Sequence, residues 1–511
     1  MEFARDLFGN LALGLDLAAS ATNLTYCFIG VFVGTFVGVL PGLGALTAIS
    51  LLLPITFHLD ATASIVMLAG VFYGANYGGS TASILLNLPG EPSSAVTCLD
   101  GYPMSRQGRS GVALLMTTVA SFVGANIGIL VMVFFSPVIL EVALEFGAEE
   151  YFSMMLLGLV AASTVSTDSP VKGVAMVTLG VLLGVVGVDV QTSTVRFTFG
   201  MVELYDGLSL VAIATGLFGV SEVIASVRTV GRGHVDRKSI TFRSMLPTRE
   251  DLHRSWAPML RGSAVGSFFG ALPGTGAAIA SFMAYAVEKK AASDPARFGK
   301  GAIEGIAAPE ASNNAAVQTA FIPTLTLGIP GTVTMALMIG ALIIHGITPG
   351  PLLMTSRPDL FWGLIVSFWI GNLFLLIINI PMIGLWIRLL SIPYHLLYPA
   401  ILMFVCIGVY SVNYNFFDIV VVMVFGAAGY VMRLLEFPPA PLLLGFVLGP
   451  LMEENLDRAV LISRGDFWVF VERPISAAFL GATILLLVWM PWRAWRGQRR
   501  ARLQSRQTGS A

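Results

Sequence analysis

The sequence predicts an all-α polytopic integral membrane protein made of two inverted-topology repeats. Three observations predict it: scarce charge, recurrent long apolar runs, and one glycine-proline motif that occurs twice. Of 511 residues, 56% are apolar and 12% charged, and the mean hydropathy is +0.81. A soluble chain carries about 25% charged residues, so water is not the solvent for most of this surface. A membrane helix needs about 20 apolar residues to cross about 30 Å of hydrocarbon. Apolar blocks lie near 24–57, 62–88, 111–140, 152–167, 171–188, 208–227, 262–287, 302–348, 360–390, 396–412, 417–435 and 474–492. Several are interrupted or long enough for two segments, which gives roughly ten to fourteen passes.

Basic residues set the orientation. No Lys or Arg occurs between Asp6 and Ser105, whereas Arg228, Arg232, Arg237, Lys238, Arg243, Arg249, Arg254 and Arg261 crowd one stretch. The tail beyond Trp492 holds Arg493, Arg496, Arg499, Arg500, Arg502 and Arg506. Loops rich in Lys and Arg stay cytoplasmic. The expected organisation is a membrane half over 1–228, a cytoplasmic loop over 229–260, a second membrane half over 261–492 and a basic cytoplasmic tail over 493–511. Met1 to Asp16 lacks the basic and then apolar pattern of a cleavable signal peptide.

Several functions are disfavoured. A net charge of −1 leaves no broad basic face for nucleic acid. Cys27, Cys98 and Cys406 are scattered, without metal-ligand spacing or a disulfide framework. The phosphate-binding pattern G-x-x-x-x-G-K-[ST] and the hydrolase patterns H-E-x-x-H and G-x-S-x-G are absent. The reading is therefore not an enzyme, and no metal or organic cofactor is expected.

The two halves begin alike. GVFVGTFVGVLPGLGALTA (30–48) and GSAVGSFFGALPGTGAAIA (262–280) agree at eleven of nineteen positions without a gap. Glycines at every fourth residue line one helix face and permit close helix approach. The L-P-G-x-G that follows removes a backbone donor and relaxes the chain, so the helix should break there. Basic residues flank only the second copy, at Arg261 and Lys289. That copy should enter from the cytoplasm, turn and return, while the first should enter from outside. Paired broken helices of opposite orientation are the plan of many secondary transporters. A single kinked spanning helix accounts for the same residues. A weaker second match sets Leu88-Pro89-Gly90 after Asn76 beside Ile329-Pro330-Gly331 after Asn313 and Asn314, with about three inserted residues.

A helix break exposes amide N–H groups at one end and carbonyls at the other, which suit an anion and a small cation. The candidate substrate- or ion-binding residues are Gly42, Gly44, Asn76, Ser80 and Thr81 in the first half. In the second they are Gly274, Thr275, Gly276, Asn313, Asn314, Thr319, Gly331 and Thr332. Each hydroxyl on its own reads equally as a helix-packing group; their clustering around paired breaks raises the binding reading. Glu310, inside an apolar block, is the candidate coupling acid, and Glu304 qualifies if that block lies at depth. A channel for small anions fits the same breaks, and an intramembrane enzyme would need an acid–base partner for Glu310.

Five stretches, in order, resemble the large membrane subunit of the tripartite tricarboxylate transporters. They are GVLPGLGALTAISLLLPITF, YGANYGGSTASILLNLPGEPSSAVTCLDGYPMSRQG, GALPGTGAAIASFMAYAVEKK, GIAAPEASNNAAVQTAFIPTLTLGIPGTVTMALMIGALIIHGITPGP and LGFVLGPLMEENL. The likeness runs from about Asn23 to about Trp492. It implies a multi-pass subunit of the bacterial inner membrane, working with a small membrane subunit and a periplasmic solute-binding protein. It further implies uptake of citrate or related carboxylates by symport with Na+ or H+, without ATP.

Overall fold

The computed structural model describes residues 2–40, 43–165, 169–189, 192–226, 242–272, 275–390 and 394–488. Gly42, Gly274, residues 229–241 of the expected central loop and the basic tail lie outside them. The principal helices are α1 (Glu2–Ala18), α2 (Ala21–Val39), α3 (Ala45–Thr56), α4 (Ala61–Leu86), α5 (Thr97–Met104), α6 (Ser110–Ala143), α7 (Ala148–Val165) and α8 (Pro170–Gly184). They continue as α9 (Leu210–Ala225), α10 (Arg249–Ala271), α11 (Gly276–Ala291), α12 (Glu304–Thr319), α13 (Phe321–Thr326) and α14 (Val333–Ile344). The last are α15 (Pro358–Asn379), α16 (Tyr394–Asn413), α17 (Phe416–Leu434), α18 (Pro439–Ile462) and α19 (Pro474–Val488).

The protein is thus an all-α polytopic membrane protein. Among the described residues, four stretches are long and apolar enough to cross a bilayer: α2, α15, α17 and the run Thr97–Ala143, and shorter apolar helices accompany them. The outer apolar faces suit lipid, as at Phe404 on α16 and Met423 on α17, which are 68% and 65% exposed.

Two compact units divide the chain: residues 1–144 with 209–430, and residues 145–208 with 431–511. In the smaller one, glycines again bring helices together. A side chain on Gly180 of α8 would collide with the Leu442 carbonyl of α18, and one on Gly445 of α18 with the Val177 carbonyl. Arg473 pairs with Glu149 at 2.9 Å, and Ser153 and Ser476 share a 2.7 Å hydrogen bond. A two-residue antiparallel ladder joins Gly187–Val188 to Val195–Arg196, and Arg196 binds Glu453 at 2.5 Å.

The larger unit is organised by two helix pairs of the same design. On α2, Gly30, Gly34 and Gly38 face the backbone of Met67, Val71 and Ala75 on α4. On α10, Gly262, Gly266 and Gly270 face Ala308, Ser312 and Ala316 on α12 in the same register. A Cβ on any of the six would sit on the facing carbonyl oxygen. The partner numbers rise together in both pairs, so each pair is parallel. The return arms α3 and α11 run antiparallel to the same partners: Ser64 donates to the Thr56 carbonyl, and Ser281 to that of Pro309. The chain therefore reverses at each break rather than kinking through it.

This packing corrects the second sequence match. The register carries Leu88-Pro89-Gly90 onto Ile329-Pro330-Gly331 without any insertion, and it places Asn76 opposite Val317 rather than Asn313 or Asn314. Similarity of residue type misled the alignment, because the extra residues lie instead in the longer α11–α12 connection.

That connection is pinned by Asp100 on α5, a residue that sequence reasoning missed. One carboxylate oxygen accepts the N–H groups of Gly299, Gly301 and Ala302 at 2.8–2.9 Å, and the other accepts the Tyr285 hydroxyl at 2.9 Å. Asp100 is fully buried. An unsatisfied buried donor costs about 1–3 kcal/mol, so Asp100→Ala is expected to destabilise the fold by at least about 3 kcal/mol. Hydrogen exchange confined to 292–303 should accelerate first; unchanged protection there would contradict the assignment.

Outside the apolar stretch, the first turn of α10 is held by charge. Asp251 forms a capping box with Thr248 and receives Arg109 on both oxygens at 2.7 Å. Burial pushes the Asp251 carboxyl up, but hydrogen bonds from Arg109 and Thr248 outweigh it and leave the group below its ordinary value. A carboxyl lowered on folding adds stability above its unfolded pKa of about 3.9, and loses it as pH falls through the folded value. Asp251→Asn is expected to flatten the acid limb of a plot of melting temperature against pH. An acid limb identical to wild type would refute the coupling.

Candidate functional site

Glu310 is the centre of the site. It lies midway along α12, a helix whose residues are all buried, and it is 1% exposed. Ser80 on α4 donates to one of its oxygens at 2.7 Å, Thr97 on α5 donates to the same oxygen, and Ser121 on α6 reaches the other at 3.3 Å. Three hydroxyls from three elements thus converge on one carboxylate, and no ion pair accompanies them among the described residues. A buried charge is costly unless paired, so this group is suited to carrying a proton or attracting a small cation. Glu304, one and a half turns earlier, differs: it pairs with Arg254 at 2.7 Å.

The surrounding polar groups are only partly satisfied. Tyr77 donates to Asn372 at 2.5 Å, and Asn372 donates to the Phe122 carbonyl at 3.2 Å. Asn314 donates to the Glu310 carbonyl at 3.1 Å, but its side-chain oxygen has no partner. Both polar atoms of Asn313 and of Gln318 also lack partners, and each residue is 1% exposed. Buried polar groups are ordinarily hydrogen-bonded. Orphans concentrated on one helix mark a place where water, an ion or a substrate completes the set.

The other candidates separate into two groups. Asn76 is satisfied locally: it donates to the Phe72 carbonyl at 2.8 Å and accepts from Ser93 at 3.1 Å. Thr319 donates to the Ala315 carbonyl at 3.0 Å, and Thr81 is buried on α4. The Thr275 hydroxyl turns back onto the carbonyls of Phe269 and Leu272. Thr332 accepts from the Met335 N–H at 3.2 Å and caps α14. Of these hydroxyls, those of Thr275 and Thr332 shape the ends of helices next to the breaks, and that of Thr319 is satisfied within its own helix. Gly44 and Gly276 start the return arms with φ of +38° and +67°, a conformation that favours glycine, and Gly331 follows Pro330 at the second break. Ser80, Glu310, Asn313 and Asn314 belong to the polar core itself.

Sequence reasoning missed Glu91, which follows the Leu88-Pro89-Gly90 break. Its carboxylate accepts the Ala45 N–H at the start of α3, and its Oε1 lies 3.2 Å from where a Gly44 Cβ would be. The available signal was an acid directly after Pro-Gly within apolar sequence. Thr97 and Ser121 carried no signal.

A helical membrane core that holds two hairpins of one design and a buried carboxylate has the architecture expected of a solute-handling membrane protein. Comparison with known families makes this specific. The family model described as the tripartite tricarboxylate transporter TctA family matches residues 24–444, and the chain belongs to that family. Over 483 residues it is 49% identical to the "Uncharacterized 52.8 kDa protein in TAR-I ttuC' 3'region" of Agrobacterium vitis, covering 94% of this chain and 96% of that one. The "Uncharacterized protein in TAR-II ttuC' 3'region" of the same organism is 57% identical over 223 residues, 44% of this chain and 92% of that one. No solved structure matches.

Proposed function

We propose that the chain is the transport-forming subunit of an ion-gradient-driven importer of tricarboxylates or related carboxylates in the bacterial inner membrane. A periplasmic binding protein delivers the substrate, and a small membrane subunit completes the complex. The halves 1–228 and 261–492 form inverted repeats, with the connecting loop and tail in the cytoplasm. The single observation that carries the reading is the repeated broken hairpin, packed in one register on α4 and on α12. Non-helical backbone at membrane depth is tolerated where it lines a cavity, and two such breaks around one polar core describe a midplane site. Glu310 takes the coupling cation, Na+ or H+, while the break amides take substrate carboxylate. Uptake of radiolabelled citrate into vesicles holding the chain, with and without its partner proteins, tests this under an imposed Na+ or H+ gradient. Saturable uptake that needs the partners and collapses with the gradient is expected. Non-saturating flux independent of the partners would establish a channel instead.

A further inference from the structure

The two breaks are built alike but are not equivalent, and the difference assigns the substrate's carboxylate to one of them. At the first break the α3 N-terminus is already occupied by an acid, the carboxyl group of Glu91 on the Ala45 N–H. In the common register the residue corresponding to Glu91 is Thr332, whose methyl lies 3.4 Å from where a Gly276 Cβ would be and whose hydroxyl is committed to Met335. The α11 N-terminus carries no side-chain cap. Helix N-termini with free N–H groups attract anions.

A second observation points to the same place. The antiparallel hairpin α11–α12 sets Tyr285 beside Gly305 and Ser281 beside Pro309. One more turn in each direction brings Asn313 to the first turn of α11, at Ala277, on the same face of α12. Asn313 is 1% exposed, and neither its amide nitrogen nor its oxygen has a partner. Its counterpart in the first repeat is Phe72, which packs on the Phe321 ring at 6.4 Å. One break is therefore filled by an acid and has an apolar ring where the other repeat has Asn313, while the other offers uncapped first-turn amides and an orphaned carboxamide.

We propose that a substrate carboxylate binds at the second break, on the first-turn amides of α11 and the Asn313 side-chain N–H, and that Glu91 is a tethered carboxylate filling the equivalent place at the first. This rests on the carboxylate-transport reading and narrows it to one half of the site. Purified chain is assayed for binding of citrate, succinate and benzoate. Asn313→Asp sets a charge against the bound anion and is expected to weaken binding of the bound acid at least tenfold. In chains with Cys98 and Cys406 replaced by alanine, Ala278→Cys and the equivalent Leu46→Cys report the two breaks, both positions being half-buried. The bound acid should slow alkylation at 278 and leave 46 unchanged. Undiminished binding by folded Asn313→Asp, or equal protection at both positions, would overturn the assignment and leave the transport reading standing. A wild-type chain that binds none of the three acids would sink both.

Discussion

Gly266→Val is expected to abolish the folded protein. Gly266 faces Ser312 so closely that an added Cβ would lie 2.7 Å from the Ser312 Cα and closer still to its carbonyl oxygen. Backbone cannot swing aside as a side-chain end can, so α10 and α12 would have to separate along their length. Overpacking costs about 1–3 kcal/mol in cores that adjust locally; here the whole glycine face loses contact, and about 3 kcal/mol or more is expected. Gly34→Val should behave alike, because Gly34 faces Val71 in the corresponding position. Gly481→Val is the control, since nothing lies within 4 Å of its Cβ position. Size-exclusion profiles and melting temperatures in detergent distinguish them. A stable, monodisperse Gly266→Val protein would remove the packing argument on which the repeat rests.

Glu310→Gln is expected to fold and to transport at least 100-fold more slowly, with the remaining flux insensitive to the ion gradient. The amide keeps an oxygen to accept from Ser80 and Thr97 but loses the charge that a cation or proton answers. Glu310→Ala should differ in kind. It strands the hydroxyls of Ser80, Thr97 and Ser121, at about 1–3 kcal/mol for each left unsatisfied, so it should lose stability as well as transport. Wild-type ion dependence in Glu310→Gln would show that the carboxylate is structural and that coupling resides elsewhere.

The legible parts of this molecule were those with short-range signatures. Glycines every fourth residue announced the close faces of α2 and α10, and L-P-G-x-G announced the reversals. Glu310 stood out because an acid in an apolar block has few structural excuses. Its partners were illegible, because Ser80, Thr97 and Ser121 reach it from three elements far earlier in the chain, and a hydroxyl in a membrane helix ordinarily bonds to its own backbone. Asp100 was hidden for a similar reason: it stabilises a loop some 200 residues away. The difference between the breaks needed the true register. With Asn76 set against Asn313 and Asn314, the repeats looked chemically alike; with Phe72 set against Asn313 and Glu91 against Thr332, they do not.

The claim on which the transport account most depends is that the two hairpins approach the site from opposite sides of the membrane. His58, between α3 and α4, and Ser293, between α11 and α12, are both exposed at the ends of the return arms. Single cysteines at these positions would be treated with a membrane-impermeant maleimide in right-side-out and inside-out vesicles. The account predicts that His58→Cys labels only in right-side-out vesicles and Ser293→Cys only in inside-out ones. Labelling of both from the same side would contradict the inverted repeat, and with it the paired site at the midplane.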